Sequence, residues 1–222
     1  MTKKNLLVLI LSLGSYSVYV FAQNSEVSLS VGGVFATDQT STTTTLAPIP
    51  CLPTNPGCNI FTSHFTSSPG VAFMGNFARR ITAFGPASLY AEAPVVGGPG
   101  RDTTVSFRNG TLLGVDLVTL SSSSLFFTPS AKLKFLESSR ISPFATVGGG
   151  LARLGFGSGT RNTGALQFGG GLDLKSPIPH LGFRVEARDF FSGGNLQSSS
   201  LTSVSPSHQH VVFAGGGAVF RF

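Results

Sequence analysis

Tryptophan is absent from this chain, cysteine and methionine occur twice each, and only 11% of the 222 residues are charged. Soluble domains average about 25% charged residues, so a wholly water-facing exterior is poorly supplied. Two cysteines cannot build a disulfide scaffold, and with no His or third Cys close enough they do not complete a metal site. Blocks of Lys and Arg are missing as well, so no nucleic-acid partner is expected. Helical periodicity is hard to find after residue 22, which excludes the common helical and α/β architectures.

What is present begins with an export signal. Lys3 and Lys4 precede the apolar run "LLVLILSLG", and Val20-Phe21-Ala22 has the small-residue pattern of a signal-peptidase site. The apolar core is shorter than the roughly 20 residues that span a bilayer, so residues 1–22 read as a signal peptide cut after Ala22 and residues 23–222 as one domain. Without residues 1–22, which carry two lysines and no acid, 13 basic and 9 acidic residues leave a mild excess of +4. In an oxidising compartment Cys51 and Cys58, which enclose "LPTNPG", are expected to form a disulfide. A ring that small stabilises by about 2–3 kcal/mol, enough to pin a loop but not to hold a fold.

Period-two stretches recur along the rest of the chain, at about 26–37, 70–84, 87–96, 124–136, 142–156, 164–176, 181–192 and 208–222. Many match the 9–11 residues a tilted strand needs to cross a bilayer. Their connections alternate. Four loops (38–69, 97–123, 157–163 and 193–207) are Ser-, Thr-, Gly- and Pro-rich for the most part, while Gly85-Pro86, "ESSRI" and "PIPH" are tight turns. Long loops on one side and short turns on the other are the pattern of an all-β fold closed as an antiparallel transmembrane barrel of eight strands, with the long loops extracellular. The Asn109-Gly110 pair is a good hairpin turn and leaves a ten-stranded alternative.

Charge decides which face is which. In "LFFTPSAKLKF" Lys132 and Lys134 share a face with Thr128 and Ser130, opposite Phe127, Pro129, Ala131, Leu133 and Phe135. The same alternation sets Asp173 and Lys175 on one face, and Arg184, Glu186 and Arg188 on another. Counting from the "PIPH" turn brings Asp173 opposite Arg184, where unlike charges attract. Arg80, Glu92, Lys132, Lys134, Asp173, Lys175, Arg184, Glu186 and Arg188 are therefore expected inside, the apolar faces toward outer-membrane lipid. Phe84, Phe135, Phe144, Phe183 and Phe222 at the turn ends, with Phe35, Phe73, Phe126, Phe156, Phe191 and Phe213 at the loop ends, are expected to form two aromatic girdles. Backbone groups in lipid must all be paired, so the last strand should close on the first, with Val212, Ala214, Gly216, Ala218, Phe220 and Phe222 outward and Arg221 inward.

The final "GGGAVFRF" resembles the C-terminal assembly signal of outer-membrane barrels, with Gly217, Phe220 and Phe222 at its spacing. With "ISPFATVGGGLAR", "FGGGLDLK" and "RVEARDFFSG", the mature chain resembles small outer-membrane β-barrel proteins of the OmpA/OmpX-like superfamily. The resemblance implies the bacterial outer membrane and recognition by the barrel-assembly machinery. It does not imply wall tethering, because no peptidoglycan-binding domain is expected after the barrel.

Candidate chemistry is sparse. Triple glycines at 148–150, 169–171 and 215–217 lack the Gly-Lys-Ser and helix of a phosphate loop and read as places of sharp strand curvature and close backbone approach. His208 and His210 share a strand face but have no evident third ligand, so no metal or cofactor is expected. One family of barrel enzymes acts on lipid A through a His-x-Ser pair and an outward Glu; here "SHQH" departs from that pattern, and Glu92 and Glu186 fall on the inner face. The expectation is a non-enzymatic barrel, structural or binding an unidentified surface ligand through its loops. A narrow diffusion pore and, behind it, a lipid A-modifying enzyme are the alternatives.

Overall fold

The structure, a computed structural model, describes residues 25–37, 39–44, 60–109, 115–156, 159–193 and 208–222. The signal peptide expected at 1–22, Cys51, Cys58 and most of the expected loop at 193–207 lie outside these residues.

Alternating side chains make strands throughout. They are β1 (Ser25–Ala36), β2 (Gln39–Thr44), β3 (Ile60–Ser67), β4 (Gly70–Phe84), β5 (Ala87–Asn109), β6 (Val115–Phe127), β7 (Ser130–Phe135), β8 (Ile141–Phe156), β9 (Gly159–Lys175), β10 (Leu181–Gly193) and β11 (His208–Arg221). All pairings are antiparallel, and they form a ring in which β1 pairs with both β4 and β11. Pro129 has no N–H to donate, so one stave of the ring is split into β6 and β7, both paired with β5 and β8. Counting β6 and β7 as one stave, eight staves close the barrel. Closure continues to the last residue, where the Phe222 N–H donates to the Ser25 carbonyl at 2.9 Å.

The ten-stranded alternative fails for a local reason. β5 runs on to Asn109 and pairs with β6 as far as Arg108↔Val115, so the Asn109-Gly110 pair falls in the connection between two existing staves and adds no further pair. Residues 97–123, expected as loop, are therefore mostly strand. "GGPG" reads as a break, but the ladder absorbs it as a register shift between Gly98 and Arg101 and resumes. Likewise 38–69 contains the β2–β3 hairpin, and β3 pairs with the extended β5 from Ser67↔Thr103 to Phe61↔Asn109.

Burial follows the alternation. Outward residues include Leu29, Val31, Phe73, Phe77, Val147, Leu151, Leu166, Phe168 and Val185, all exposed. An apolar wall of this extent belongs in lipid. At the turn end Gly85 adopts a left-handed conformation (φ 59°), the geometry a two-residue reversal demands and glycine takes without strain.

Candidate functional site

The barrel interior is built in two layers. Toward the turn end it is a network of charges. Arg184 on β10 donates to both oxygens of Asp173 on β9, at 2.7 and 3.0 Å, and also reaches Ser28 and Glu26 on β1. Glu26 accepts from Lys132 at 2.7 Å and Lys134 at 2.6 Å. Arg188 bridges Glu186 and Glu92, each at 2.8 Å. Glu92 is further satisfied by Asn76 at 2.9 Å, Ser130 at 3.0 Å and Thr146 at 2.6 Å. The cations also lie over rings, with Lys132 Nζ 4.9 Å from the centre of Tyr90 and Arg184 Cζ 4.8 Å from that of Phe144. Burying such charges is costly unless each is paired and hydrogen-bonded, and here each is.

The glycine triplets make room for this network. Arg184 stands opposite Gly217, Glu186 is flanked by Gly215 and Gly171, Arg188 is opposite Gly169, and Gln167 is opposite Gly148. Inward glycines beside long side chains let those chains lie across the neighbouring stave and let the backbones approach closely.

Seven of the nine side chains expected inside are buried there: Glu92, Lys132, Lys134, Asp173, Arg184, Glu186 and Arg188. Arg80 and Lys175 are not. Both keep the inward phase but sit at the turn-end rim, where the strands outrun the enclosed lumen. Arg80 pairs with half-exposed Glu137 at 3.5 Å, and Lys175 donates to the Ser138 carbonyl at 2.9 Å. Glu137 also accepts from Ser88 and Tyr90. Sequence reasoning missed Glu26. It stands on the polar phase of "SEVSLS", and its partner Arg221 lies at the other end of the chain, so the signal was the closing register itself.

Toward the loop end the interior is apolar. Val34, Ala72, Met74, Val96, Phe126, Ala152, Ala165, Phe190, Val211 and Phe213 pack together, with the Phe126 and Phe190 rings stacked at 4.6 Å. Three phenylalanines expected in the girdles, Phe126, Phe144 and Phe213, are therefore interior residues, because each shares the phase of its strand's polar or inward side. Phe35, Phe73, Phe84, Phe135, Phe183 and Phe222 are outward and exposed, Phe191 is half-buried, and the side chain of Phe156 lies outside the description. On the outer wall a groove of about 880 Å³ runs between Phe73, Val95, Leu125 and Arg153 over Gly75 and Gly97. His210 also faces outward and pairs with Asp189 at 2.8 Å; the His208 side chain is not described.

No protein-family model matches the chain, and no curated protein matches it. Solved structures do. The outer membrane protein OprG from Pseudomonas aeruginosa is similar over 90% of this chain and 97% of its own, at 14% identity and a TM-score of 0.53. Neisserial surface protein A is similar over 89% and 97%, at 11% identity and a TM-score of 0.46. The ring of eight staves, the inward charges and the likeness to OprG agree: this chain has the fold of the small bacterial outer-membrane β-barrels that its sequence resembles.

Proposed function

We propose that the protein is a non-enzymatic barrel of the bacterial outer membrane that keeps its lumen shut and offers its loop end to a surface ligand. One observation carries this reading: a paired charge network capped by a packed apolar layer fills the interior. An eight-stranded barrel has a lumen that side chains can just fill. The pore reading requires a continuous wet path, and stacked Phe126 and Phe190 over the Arg188 and Glu186 pair oppose one. The extended β3, β5 and β6, which carry outward hydroxyl-bearing residues such as Thr104, Ser106, Thr119 and Ser121, support a display role at that end. Contact with lipid along the outer wall and insertion by the barrel-assembly machinery belong to the same reading.

Planar-bilayer recording of the purified barrel tests closure, with no conductance steps expected above the lipid baseline. Discrete steps would replace this reading with the pore. Deleting residues 45–59 from the chain tests display: cells should lose surface binding while keeping the folded barrel, and unchanged binding would leave only a structural role for the envelope.

A further inference from the structure

Above the apolar layer, the inward face of β5 carries a cation that the network does not use. Before the register shift the inward residues are even-numbered, as at Glu92 and Val96; after it they are odd-numbered, as at Arg101 and Thr103. The shift skips Pro99 and Gly100 and turns Arg101 into the barrel mouth, where only 8% of it is exposed. Its stem lies beside Gly70 and Val34: a Cβ on Gly70 would come within 3.3 Å of Arg101 Cβ and 3.4 Å of Val34 Cγ1. A ladder of hydroxyls stands next to it. Ser67 and Thr103 are 3.2 Å apart, Thr103 and Ser122 are 2.8 Å apart, and Ser122 donates to the Arg101 carbonyl at 3.2 Å.

Nε and Nη1 of Arg101 are buried with no acceptor among the described residues. A guanidinium cannot shed its proton to relieve that burial, so it calls for an anionic partner. The described carboxylates have other engagements or directions. Glu26, Glu92, Asp173 and Glu186 are held in the turn-end network, Asp189 pairs with His210, and Asp102 is exposed on the opposite face of β5. Glu137 is held at the turn-end rim, residues 45–59, 110–114, 157–158 and 194–207 contain no Asp or Glu, and Asp38 and the side chain of Asp116 lie outside the description. Arg161, on the inward phase of β9 at the same end, also has a buried Nη1 without an acceptor among the described residues.

We propose that Arg101, with the hydroxyls of Thr103 and Ser122, forms an anion site in the barrel mouth that takes a phosphate or sulfate group. A tetrahedral oxyanion accepts several hydrogen bonds at once, which suits a guanidinium beside two hydroxyls. The site stands apart from any partner held by the loops.

The full chain, folded in detergent, is titrated with inorganic phosphate and with sulfate at constant ionic strength, chloride serving as control. Calorimetry and heat-modifiable gel mobility are read together. Phosphate or sulfate should bind and raise the unfolding temperature, and chloride should not. Arg101→Gln should weaken binding at least tenfold and abolish the anion-dependent shift. Without anion its unfolding temperature should equal or exceed that of the parent, because an unpaired buried charge has been removed. Thr103→Val keeps the cation and should weaken binding severalfold, while Arg153→Gln on the outer wall should leave it unchanged.

Further arms with a sulfated disaccharide and with vesicles containing a phosphate-bearing lipid identify the source. Binding of the free ions assigns a free ligand; binding in one of these arms alone assigns the group to a glycan or to a lipid. Equal binding by the parent and Arg101→Gln in every arm would overturn the proposal. So would an Arg101→Gln protein that fails to fold with or without anion, since Arg101 would then be a structural cation.

Discussion

At the residue scale, Glu26 holds the interior together. One carboxylate lies within 3.4 Å of Lys132, Lys134, Arg184 and Arg221, four cations on three staves of the ring. Glu26→Gln preserves its shape but leaves those cations to share the remaining acids, and breaking a buried ionic group one-sidedly costs about 3–5 kcal/mol. The urea midpoint of the folded barrel in lipid vesicles should fall accordingly, and Lys132→Met in the same chain should recover part of the loss. Glu137→Gln at the half-exposed rim should cost under about 1 kcal/mol, since screening by water weakens the Arg80 pair. Equal losses from both variants would show that the interior network contributes no more than a surface pair. What could be read in the sequence here depended on distance along the chain. Asp173 and Arg184 face each other across one tight turn, so counting from "PIPH" pairs them. Glu26 and Arg221 meet only through ring closure. Arg101 was hidden by the bulge, which reverses the inward parity midway along its strand.

At the scale of the element, the glycine triplets do two jobs, leaving room for long side chains and letting strands approach. A Cβ at Gly217 would lie 1.9 Å from the Leu29 carbonyl oxygen, so β1 and β11 could not keep their spacing there. Gly217→Ala should therefore reduce the yield of folded barrel severely and destabilise whatever folds by more than about 2 kcal/mol, as overpacking against rigid backbone does. Gly164→Ala on β9 is the matched control, because a Cβ there meets nothing within 4 Å. It should be neutral or mildly stabilising, the usual effect of replacing a strand glycine. Heat-modifiable mobility of outer-membrane fractions distinguishes the two, and a normal Gly217→Ala barrel would mean that closure tolerates a wider spacing. The eight staves were legible from alternation, but their loop-side ends and the β2–β3 hairpin were not. "GGPG" and the Thr-rich "QTSTTT" carry loop composition, yet pairing with an existing neighbour makes strands of them.

At the scale of the whole molecule, closure depends on one seam between the two ends of the described chain. β1 and β11 are paired from Glu26↔Arg221 to Ala36↔Val211, and the last turn of that seam is carried by Phe220, Arg221 and Phe222. Phe220 and Phe222 are exposed on the lipid side, Arg221 reaches inward to Glu26 and Asp173, and the Phe222 N–H pairs with Ser25. Removing Phe220–Phe222 takes away two apolar contacts worth roughly 1.5–3 kcal/mol each, one inward cation and the terminal ladder bonds. If, as proposed, the assembly machinery reads these residues, their loss adds a kinetic effect. The two contributions can be separated. The truncated chain should insert into vesicles in vitro with a lowered unfolding midpoint, whereas in cells its folded, heat-modifiable form should fall to a small fraction of normal. Phe222→Ser should show the same asymmetry more mildly. If cellular levels drop only as far as the in vitro stability does, the seam is purely structural and the signal reading fails. If neither changes, the contacts of Phe220 and Phe222 with lipid contribute nothing to holding the ring closed.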